Sequence, residues 1–369
     1  MKYIEAYQYF DKSEIIKTLG SEESVIVGRV TNKNRGVFHV LHELGTDVAT
    51  LSGKYIHEAL YHVDYPAVGD WVVMTRNGES FIIHKLVTRK NAFVRRQKVV
   101  GGRKIMNDLI VGGTTQEQVL AANLDTVFIV TGLDKNFNPK RIERYLTLAY
   151  NSGANPVLIL SKLDLCDDVA EKVAQVEDIA FGVPVHPVSA IEAIGMEDLK
   201  PYLGVGKTVC FLGSSGVGKS TVTNYLLGEM IQETKETSDG SSKGRHTTTT
   251  AQLLMATDGT MIIDTPGLRE IQLWCDEDTL DTSFDDIAKL MESCQFKNCT
   301  HHREPGCAVV AALETGELSK SRYDNYLKML REVKYLEMRK READKKLNKR
   351  PKQKKSRHTD KQKMKSEML

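Results

Sequence analysis

The chain has 369 residues, with 51 lysines and arginines against 49 aspartates and glutamates, so its formal net charge is only +2. That length suggests two or three domains. Six cysteines, no apolar run of 18 residues and no signal-peptide pattern exclude a disulfide-rich secreted protein and a membrane-spanning one. We expect a cytoplasmic protein without a membrane partner.

The N-terminal part is rich in short strand patterns separated by turn signals. Five such strands within about seventy residues are typical of a small OB-type β-barrel, a frequent platform for RNA. The predicted strands are Val25–Val30, Gly36–Leu41, Val48–Leu51, Asp70–Thr75 and Phe81–Leu86.

An α/β alternation follows, and its second buried strand ends in a motif that can recognise guanine. The motif is Ser161-Lys162-Leu163-Asp164, after the strand Pro156–Leu160. A carboxylate on Asp164 can accept hydrogen bonds from the ring N–H and the exocyclic amine of guanine, which adenine cannot offer. Lys162 would lay its aliphatic stem along the base. Ser161 stands where this motif usually has Asn.

A second short strand is followed by Val188-Ser189-Ala190. The backbone of Ser189 and Ala190 would contact the guanine oxygen.

A phosphate-binding loop comes later in the chain, between the apolar strand Thr208–Leu212 and a helix that begins near Thr221. Its glycines let backbone N–H groups converge on an anion at a helix N-terminus. Lys219 would reach the terminal phosphates and Ser220 would bind Mg²⁺. The predicted phosphate-binding residues are Gly213, Ser214, Ser215, Gly216, Val217, Gly218, Lys219, Ser220 and Thr221.

Asp264 ends a further buried strand and begins the sequence Asp-Thr-Pro-Gly. Its carboxylate would hold Mg²⁺ through water, and the Gly267 amide would approach the γ-phosphate. The polar segment before this strand, Gly244–Thr250, should be mobile without ligand. A hydroxyl from it would complete the Mg²⁺ shell, from Thr248 or its neighbour Thr247.

The guanine motif precedes the phosphate loop in this chain. That order is the one expected of a circularly permuted GTPase.

Three cysteines and a histidine lie within fourteen residues near the C-terminus. Thiolate and imidazole ligands this close suit tetrahedral Zn²⁺. The predicted ligands are Cys294, Cys299, Cys307 and either His301 or its neighbour His302.

Residues 339–369 carry 14 basic and 4 acidic residues, a net charge of +10, so the rest of the chain carries −8. A segment this basic is expected to be disordered alone and attracted to phosphate backbones. It could also serve only solubility.

Together, the motif order, the Gly-Arg-His-Thr-Thr segment from Gly244, the run from Asp264 to Glu270 and the cysteine cluster resemble the RsgA (YjeQ) family. These are circularly permuted bacterial GTPases of small-ribosomal-subunit assembly. The resemblance covers roughly residues 20–340. It favours His301 as the fourth zinc ligand and raises the expectation that the barrel binds RNA.

The resemblance also bears on catalysis. Leu268 stands where many GTPases place a water-orienting Gln. Alongside Lys219, the resemblance suggests His246 as the catalytic group, because histidine can orient or deprotonate water near neutral pH. A role for His246 in RNA contact or in shaping the loop is the alternative.

The sequence thus predicts a multidomain α/β protein: an OB-type barrel (22–98), a circularly permuted GTPase domain (119–275), a helical zinc-binding module (276–338) and a basic disordered tail (339–369). Its expected partners are GTP or GDP, Mg²⁺, one structural Zn²⁺, and the small ribosomal subunit with its rRNA, and we expect a monomer. A nucleotide-independent RNA-binding assembly factor and an ATP-driven P-loop enzyme are the alternatives.

Overall fold

The structure is a computed structural model, and it describes residues 25–98, 104–106, 109–111, 115–228, 251–264, 277–302 and 304–348. No helix in these ranges combines the length and apolar character that crossing a membrane requires.

The first five strands close into a barrel. They are β1 Val25–Asn34, β2 Val37–His42, β3 Gly45–Leu51, β4 Trp71–Asn77 and β5 Ser80–Leu86, with helix α1 Gly53–Glu58 after β3. Strand β1 pairs with both β2 and β4, and β3 pairs in parallel with β5, so the order β1-β2-β3-β5-β4 returns to β1. Phe38, Met74 and Phe81 fill the interior. This is the five-stranded OB-type barrel that the sequence predicts.

Two small antiparallel ribbons follow the barrel. Strand β6 Ala92–Lys98 pairs with β9 Thr115–Ala122, and β7 Lys104–Met106 pairs with β8 Leu109–Val111.

The central domain is a six-stranded sheet in the order β12-β11-β10-β13-β15-β14. Only β14 runs antiparallel to its neighbours, and its pairing with β1 joins the sheet to the barrel. The bounds are β10 Thr126–Gly132, β11 Asn155–Ser161, β12 Val185–Pro187, β13 Thr208–Leu212, β14 Gln252–Met255 and β15 Met261–Asp264. All seven residues of β10 are buried, as expected of a parallel strand covered on both faces.

Three helices connect these strands: α2 Pro139–Ser152, α3 Val169–Glu177 and α4 Lys219–Leu227. Helix α2 has clear start and stop signals. Asn138 caps its first turn by accepting a hydrogen bond from the Arg141 amide, and Gly153 ends it in the left-handed conformation.

The C-terminal part is helical. Its helices are α5 Glu277–Ser283, α6 Asp285–Glu292, α7 Ala308–Thr315 and α8 Lys320–Asn348. Phe284, Ile287, Val309, Tyr326 and Val333 are buried and belong to the same core cluster as the residues of α2. The helical module therefore packs directly on the central domain.

Candidate nucleotide and metal sites

Four motif-bearing strands end at the same edge of the central sheet. The register pairs Gly132 of β10 with Ser161 of β11. Strand β12 runs parallel beside β11, β13 runs parallel beside β10, and β15 runs parallel beside β13. Ligands of open α/β sheets bind at this carboxyl edge. The predicted guanine motif, the phosphate loop and Asp264 all start from it.

The phosphate loop joins β13 to α4 with three glycines at positive φ, namely Gly213, Gly216 and Gly218. A Cβ atom at Gly213 would lie 2.3 Å from the Val130 carbonyl oxygen, so no other residue fits there. Gly218 caps α4, which begins at Lys219, and Ser220 and Thr221 follow in its first turn. The loop therefore presents a helix N-terminus, the arrangement that binds anions.

The Lys219 ammonium lies folded over this loop. Its Nζ donates to the carbonyl oxygens of Gly213, at 2.7 Å, and of Ser214, at 2.5 Å. Ser215 and Gly216 are exposed, so the loop is open to solvent on this side.

Ser161 links the guanine motif to the phosphate loop. Its buried Oγ lies 3.1 Å from the Thr131 carbonyl oxygen and 2.5 Å from the Val217 carbonyl oxygen. Both neighbours are carbonyl acceptors, so they share the single hydroxyl proton, which lies closer to Val217. A serine at this position thus ties β10, β11 and the phosphate loop together.

Lys162 adopts a left-handed backbone conformation, with φ of 62°. Its Nζ forms an ion pair with Asp134 Oδ2 at 2.7 Å, and Asp134 also accepts a hydrogen bond from the Asn136 amide. Burial alone would raise the pKa of Asp134, but the hydrogen bonds from Lys162 and Asn136 outweigh it and hold the pKa below its ordinary value. Asp134 is therefore ionised and holds the Lys162 side chain in place by an ion pair.

Asp164 lies next to Ser189, because the two residues follow the neighbouring strands β11 and β12. Ser189 Oγ donates to Asp164 Oδ1 at 2.6 Å, and the Leu163 amide donates to the Val188 carbonyl oxygen at 3.1 Å. Ala190 follows in the same segment. The two segments predicted to bind guanine thus form one surface at the end of β11 and β12.

Part of the predicted site falls outside the described residues: His246, Thr247, Thr248 and Gly267. Asp264, the last residue of β15, is half-buried at the carboxyl edge.

Cys294, Cys299, His301 and Cys307 form one cluster whose ligand atoms all lie within 4.8 Å of one another. Cys294 Sγ is 3.9 Å from Cys307 Sγ and 3.5 Å from His301 Nδ1. His301, at φ of 60°, is the member of the His301-His302 pair in the cluster. These four residues could hold a metal ion.

The chain around the cluster turns tightly. At Gly306, where φ is 74°, a Cβ atom would meet Gln295 Oε1 at 2.3 Å, and Cys307 caps helix α7 by accepting from the Val310 amide. The fold of the module and the convergence of the four side chains therefore depend on each other.

Helix α2 connects the phosphate loop to the helical module, a feature that sequence patterns did not indicate. Arg141 Nη1 donates to Ser214 Oγ at 2.9 Å. Two residues on, buried Glu143 pairs with Arg322 of α8 at 2.6 Å, and Arg144 makes two 3.0 Å hydrogen bonds to Glu332. Of the residues that the sequence analysis did not name, Asp134 is the one whose place near the site a sequence pattern could have indicated. It follows β10, which ends at the same sheet edge as the motifs.

The fold and the site define a circularly permuted P-loop GTPase, and comparisons with known proteins agree. The family model for the RsgA GTPase matches residues 88–274. A protein named small ribosomal subunit biogenesis GTPase RsgA 2, from Lactiplantibacillus plantarum, is 40% identical over 317 residues, which are 86% of each chain. The RsgA of Opitutus terrae is 43% identical over 326 residues, 85% of each chain.

Two solved structures share the fold. YjeQ from Thermotoga maritima superposes with a TM-score of 0.60 at 30% identity, over 84% of this chain and 98% of that one. YloQ, described as a circularly permuted GTPase, superposes with a TM-score of 0.56 at 24% identity, over 85% and 97%, which supports the fold alone.

The chain belongs to the RsgA GTPase family, and it is an enzyme that hydrolyses GTP. The family, the permuted GTPase fold and the activity predicted from the sequence are confirmed.

Proposed function

We propose that the protein hydrolyses GTP on the small ribosomal subunit during late assembly or maturation, with its nucleotide state setting its affinity for the subunit and its rRNA. The observation that carries this proposal is that the guanine motif and the phosphate loop meet at one sheet edge in permuted chain order. The relatives named for small-ribosomal-subunit biogenesis support the partner.

At the guanine end, the Asp164 carboxylate accepts the hydrogen bonds that distinguish guanine from adenine, and Ser189 Oγ holds it in place. Lys162, fixed by Asp134, lies along the base. Ser161, Leu163, Ser189 and Ala190 complete the base-binding surface.

At the phosphate end, the backbone from Gly213 to Thr221 wraps the phosphates, and the Lys219 ammonium moves from its two carbonyl acceptors to the phosphate oxygens. Ser220, Asp264 and Thr248, or Thr247 in its place, supply oxygens of the kind Mg²⁺ prefers. Bound Mg²⁺ neutralises charge on the β- and γ-phosphates. The Gly267 amide senses the γ-phosphate.

The attacking water is positioned by His246, since Leu268 offers no polar group. Contact with RNA, or shaping of the loop, is the alternative role for His246.

The metal of the C-terminal cluster is one structural Zn²⁺, held by Cys294, Cys299, His301 and Cys307. Four ligands with Zn–S bonds of about 2.3 Å set sulfur atoms about 3.8 Å apart in a tetrahedron. The 3.9 Å between Cys294 Sγ and Cys307 Sγ fits that separation.

The proposal takes residues 22–98 as the RNA-binding barrel, 119–275 as the GTPase domain, 276–338 as the zinc module and 339–369 as a basic tail. The protein acts as a monomer in the cytoplasm, away from membranes. The barrel and the zinc module contact the subunit on two sides of the GTPase domain, so loss of the γ-phosphate changes how well both fit.

The decisive experiment measures GTP hydrolysis by the full chain with and without purified small ribosomal subunits. We expect slow turnover alone and a clear increase with subunits, abolished in Lys219→Ala. Asp164→Asn should weaken GTP binding and relax the preference against nucleotides that lack the guanine amine.

Faster hydrolysis of ATP than of GTP would overturn the proposal in favour of an ATP-driven enzyme. Tight subunit binding without any phosphate release would favour the nucleotide-independent assembly factor.

A further inference from the structure

Arg141 lies at the phosphate loop although it belongs to a different part of the chain. It is the third residue of α2, and its Nη1 donates to Ser214 Oγ at 2.9 Å across 73 positions of sequence. Ser214 is the second residue of the loop.

The Lys219 side chain shows which end of a nucleotide this contact faces. A P-loop lysine reaches the β- and γ-phosphates, and here its Nζ lies 2.5 Å from the carbonyl oxygen of the same Ser214. The two cations therefore approach one residue, Lys219 through its backbone and Arg141 through its hydroxyl. Arg141 is at the terminal-phosphate end of the site.

The positive charge of Arg141 lies in the first turn of a helix, where a nearby anion would stabilise it. Among the described residues, no carboxylate forms an ion pair with Arg141, whereas Arg144 on the same helix pairs with Glu332. The first turn of α2 has no acidic residue, and the positive end of the helix dipole adds to the guanidinium charge. A cation at this end of a helix is unfavourable unless an anion lies nearby.

The helix that carries Arg141 is held rigidly. Glu143 is 4% exposed and pairs with Arg322 at 2.6 Å, and Arg144 makes a two-pronged contact with Glu332. Arg141 is thus presented from a backbone fixed two and three residues further on. Such fixed cations stabilise developing charge without a cost of reorganisation during the reaction.

We propose that Arg141 contacts the terminal phosphate of GTP and stabilises the charge that develops when water attacks it. The inference rests on the proposed GTPase site. Water bonds to the γ-phosphorus, the bond from that phosphorus to the β–γ bridging oxygen breaks, and its electron pair leaves with GDP. Both protons of the water leave with the released phosphate as dihydrogen phosphate. Arg141 transfers no proton; it donates hydrogen bonds to oxygens whose negative charge grows, as an arginine finger does.

The test compares four variants of the full chain: Arg141→Ala, Arg141→Lys, Ser214→Ala and Lys140→Ala. Lys140 is the matched control, because it is an exposed cation in the same helical turn. Single-turnover GTP hydrolysis is measured with and without small subunits, together with the affinity for GDP in the presence and absence of aluminium fluoride, which mimics the phosphoryl group in transfer.

We expect Arg141→Ala to lower the hydrolysis rate about 100-fold, the usual effect of removing one donor to developing charge. It should weaken GDP–aluminium fluoride binding by a similar factor and GDP binding less than about 3-fold. Arg141→Lys should recover part of the rate, and Ser214→Ala should lose less than Arg141→Ala because it removes only the tether. Lys140→Ala should stay within about 2-fold of the parent.

A rate within 2-fold of the parent in Arg141→Ala overturns the inference and leaves the proposed function intact. Equal losses of GDP and GDP–aluminium fluoride affinity also overturn it, because they indicate a purely structural tether. If the parent itself hydrolyses no GTP under any condition, the proposed function has failed as well. If Arg141→Ala lowers the melting temperature, Arg141→Lys replaces it in the same comparison.

Discussion

The central domain is attached to its two neighbours by different chemistry. On the barrel side, fully buried Arg29 donates to the carbonyl oxygens of Gly69, at 3.2 Å, and Asn123, at 3.0 Å, and lies 5.1 Å from the ring centre of Trp71. On the side of the helical module, Arg322 pairs with the carboxylates of Glu143 and Asp286. Backbone carbonyl oxygens hold the buried arginine on the barrel side, where the Lys90–Asp125 ion pair is largely exposed, and carboxylates hold the buried arginine on the module side.

This difference has electrostatic consequences. Burial lowers the pKa of Arg29 to about 10, against the opposite influence of Asp125 and Asp70, so the guanidinium still carries its charge near neutral pH. At the other interface, burial raises the pKa of Glu143, while Arg322 opposes that rise. The contacts of Arg29 should therefore respond less to salt and pH than the ion pairs of Arg322 do.

The responsive interface is also the one connected to the phosphate loop. Helix α2 carries Arg141 towards Ser214 and, one turn away, carries Glu143 and Arg144 towards α8. A change in the phosphate loop can therefore reach the helical module through a single rigid element. The barrel side meets α2 at its other end, where Asn91 Nδ2 donates to the carbonyl oxygen of Gly153 at 3.2 Å.

The largest effect is expected from disrupting the Cys294–Cys299–His301–Cys307 cluster, which is proposed to hold zinc. Cys299→Ser, or removal of the metal by a chelator, should unfold the segment around α6 and α7 and leave the barrel side intact. Structural zinc supplies about 10 kcal/mol or more to modules of this size. Limited proteolysis and elemental analysis measure the outcome.

The matched control for the cluster is Cys166→Ser, which changes a half-buried cysteine outside it. A metal-free protein with a fully protected C-terminal module would contradict the prediction.

The next largest effect is expected at Glu143. Glu143→Ala removes the acceptor for both Arg322 and Asn325 and leaves a largely buried guanidinium short of one partner. We expect a loss of about 3 kcal/mol in the free energy of unfolding, the lower end for a broken buried ion pair, because Asp286 still pairs with Arg322. Urea unfolding measures this free energy, with exposed Glu171→Ala as the control. Equal stability of the two variants would contradict a structural role for the Glu143–Arg322 pair.

The sequence predicted the motifs and the barrel of this protein, but not the contacts at its two interfaces. The phosphate loop, the guanine motif and the cysteine cluster are local patterns, because each uses residues close together in the chain. The barrel followed from five strand patterns between Val25 and Leu86, and the structure closes these strands into one barrel.

The contacts of Arg29, Arg141 and Glu143 were not predictable in the same way. Arg29 meets Asn123 across 94 positions, and Glu143 meets Arg322 across 179. A single arginine or glutamate in a helix or strand pattern is usually a solvated surface residue. Only the packing of three domains reveals which groups these side chains contact.

A smaller effect is expected on the barrel side. Arg29→Met keeps most of the side-chain volume and removes a buried charge, but it leaves the carbonyl oxygens of Gly69 and Asn123 without this donor. We expect a loss of about 2 kcal/mol, because the Asn123 carbonyl oxygen loses this donor while that of Gly69 still accepts from Asn123 Nδ2, and we expect no dependence on salt. Urea unfolding at low and high salt checks both points, with exposed Arg76→Met as the control. A loss that disappears in high salt would show that this interface is electrostatic after all.

The smallest effect is the pH response of the module side, where two carboxylates act in opposite directions. Burial would raise the pKa of Asp286, but Arg322 holds it below its ordinary 3.8, so its contribution to stability is present above that value and is lost as the pH falls through the folded-state pKa. Glu143 has a folded-state pKa above 4.5, so the folded state binds its proton more tightly than the unfolded state does. Stability should therefore fall slightly as the pH rises from 4.5 through the raised pKa of Glu143.

Glu143→Gln keeps the shape and an acceptor for Arg322, and it should abolish that slope while leaving the loss below pH 3.8 unchanged. Asp286 is half-exposed, so we expect its part to stay below about 1 kcal/mol. Unfolding free energies of the parent and the variant at closely spaced pH values between 3 and 7 decide the matter, and superimposable profiles above pH 4.5 would show that Glu143 does not titrate as its burial implies.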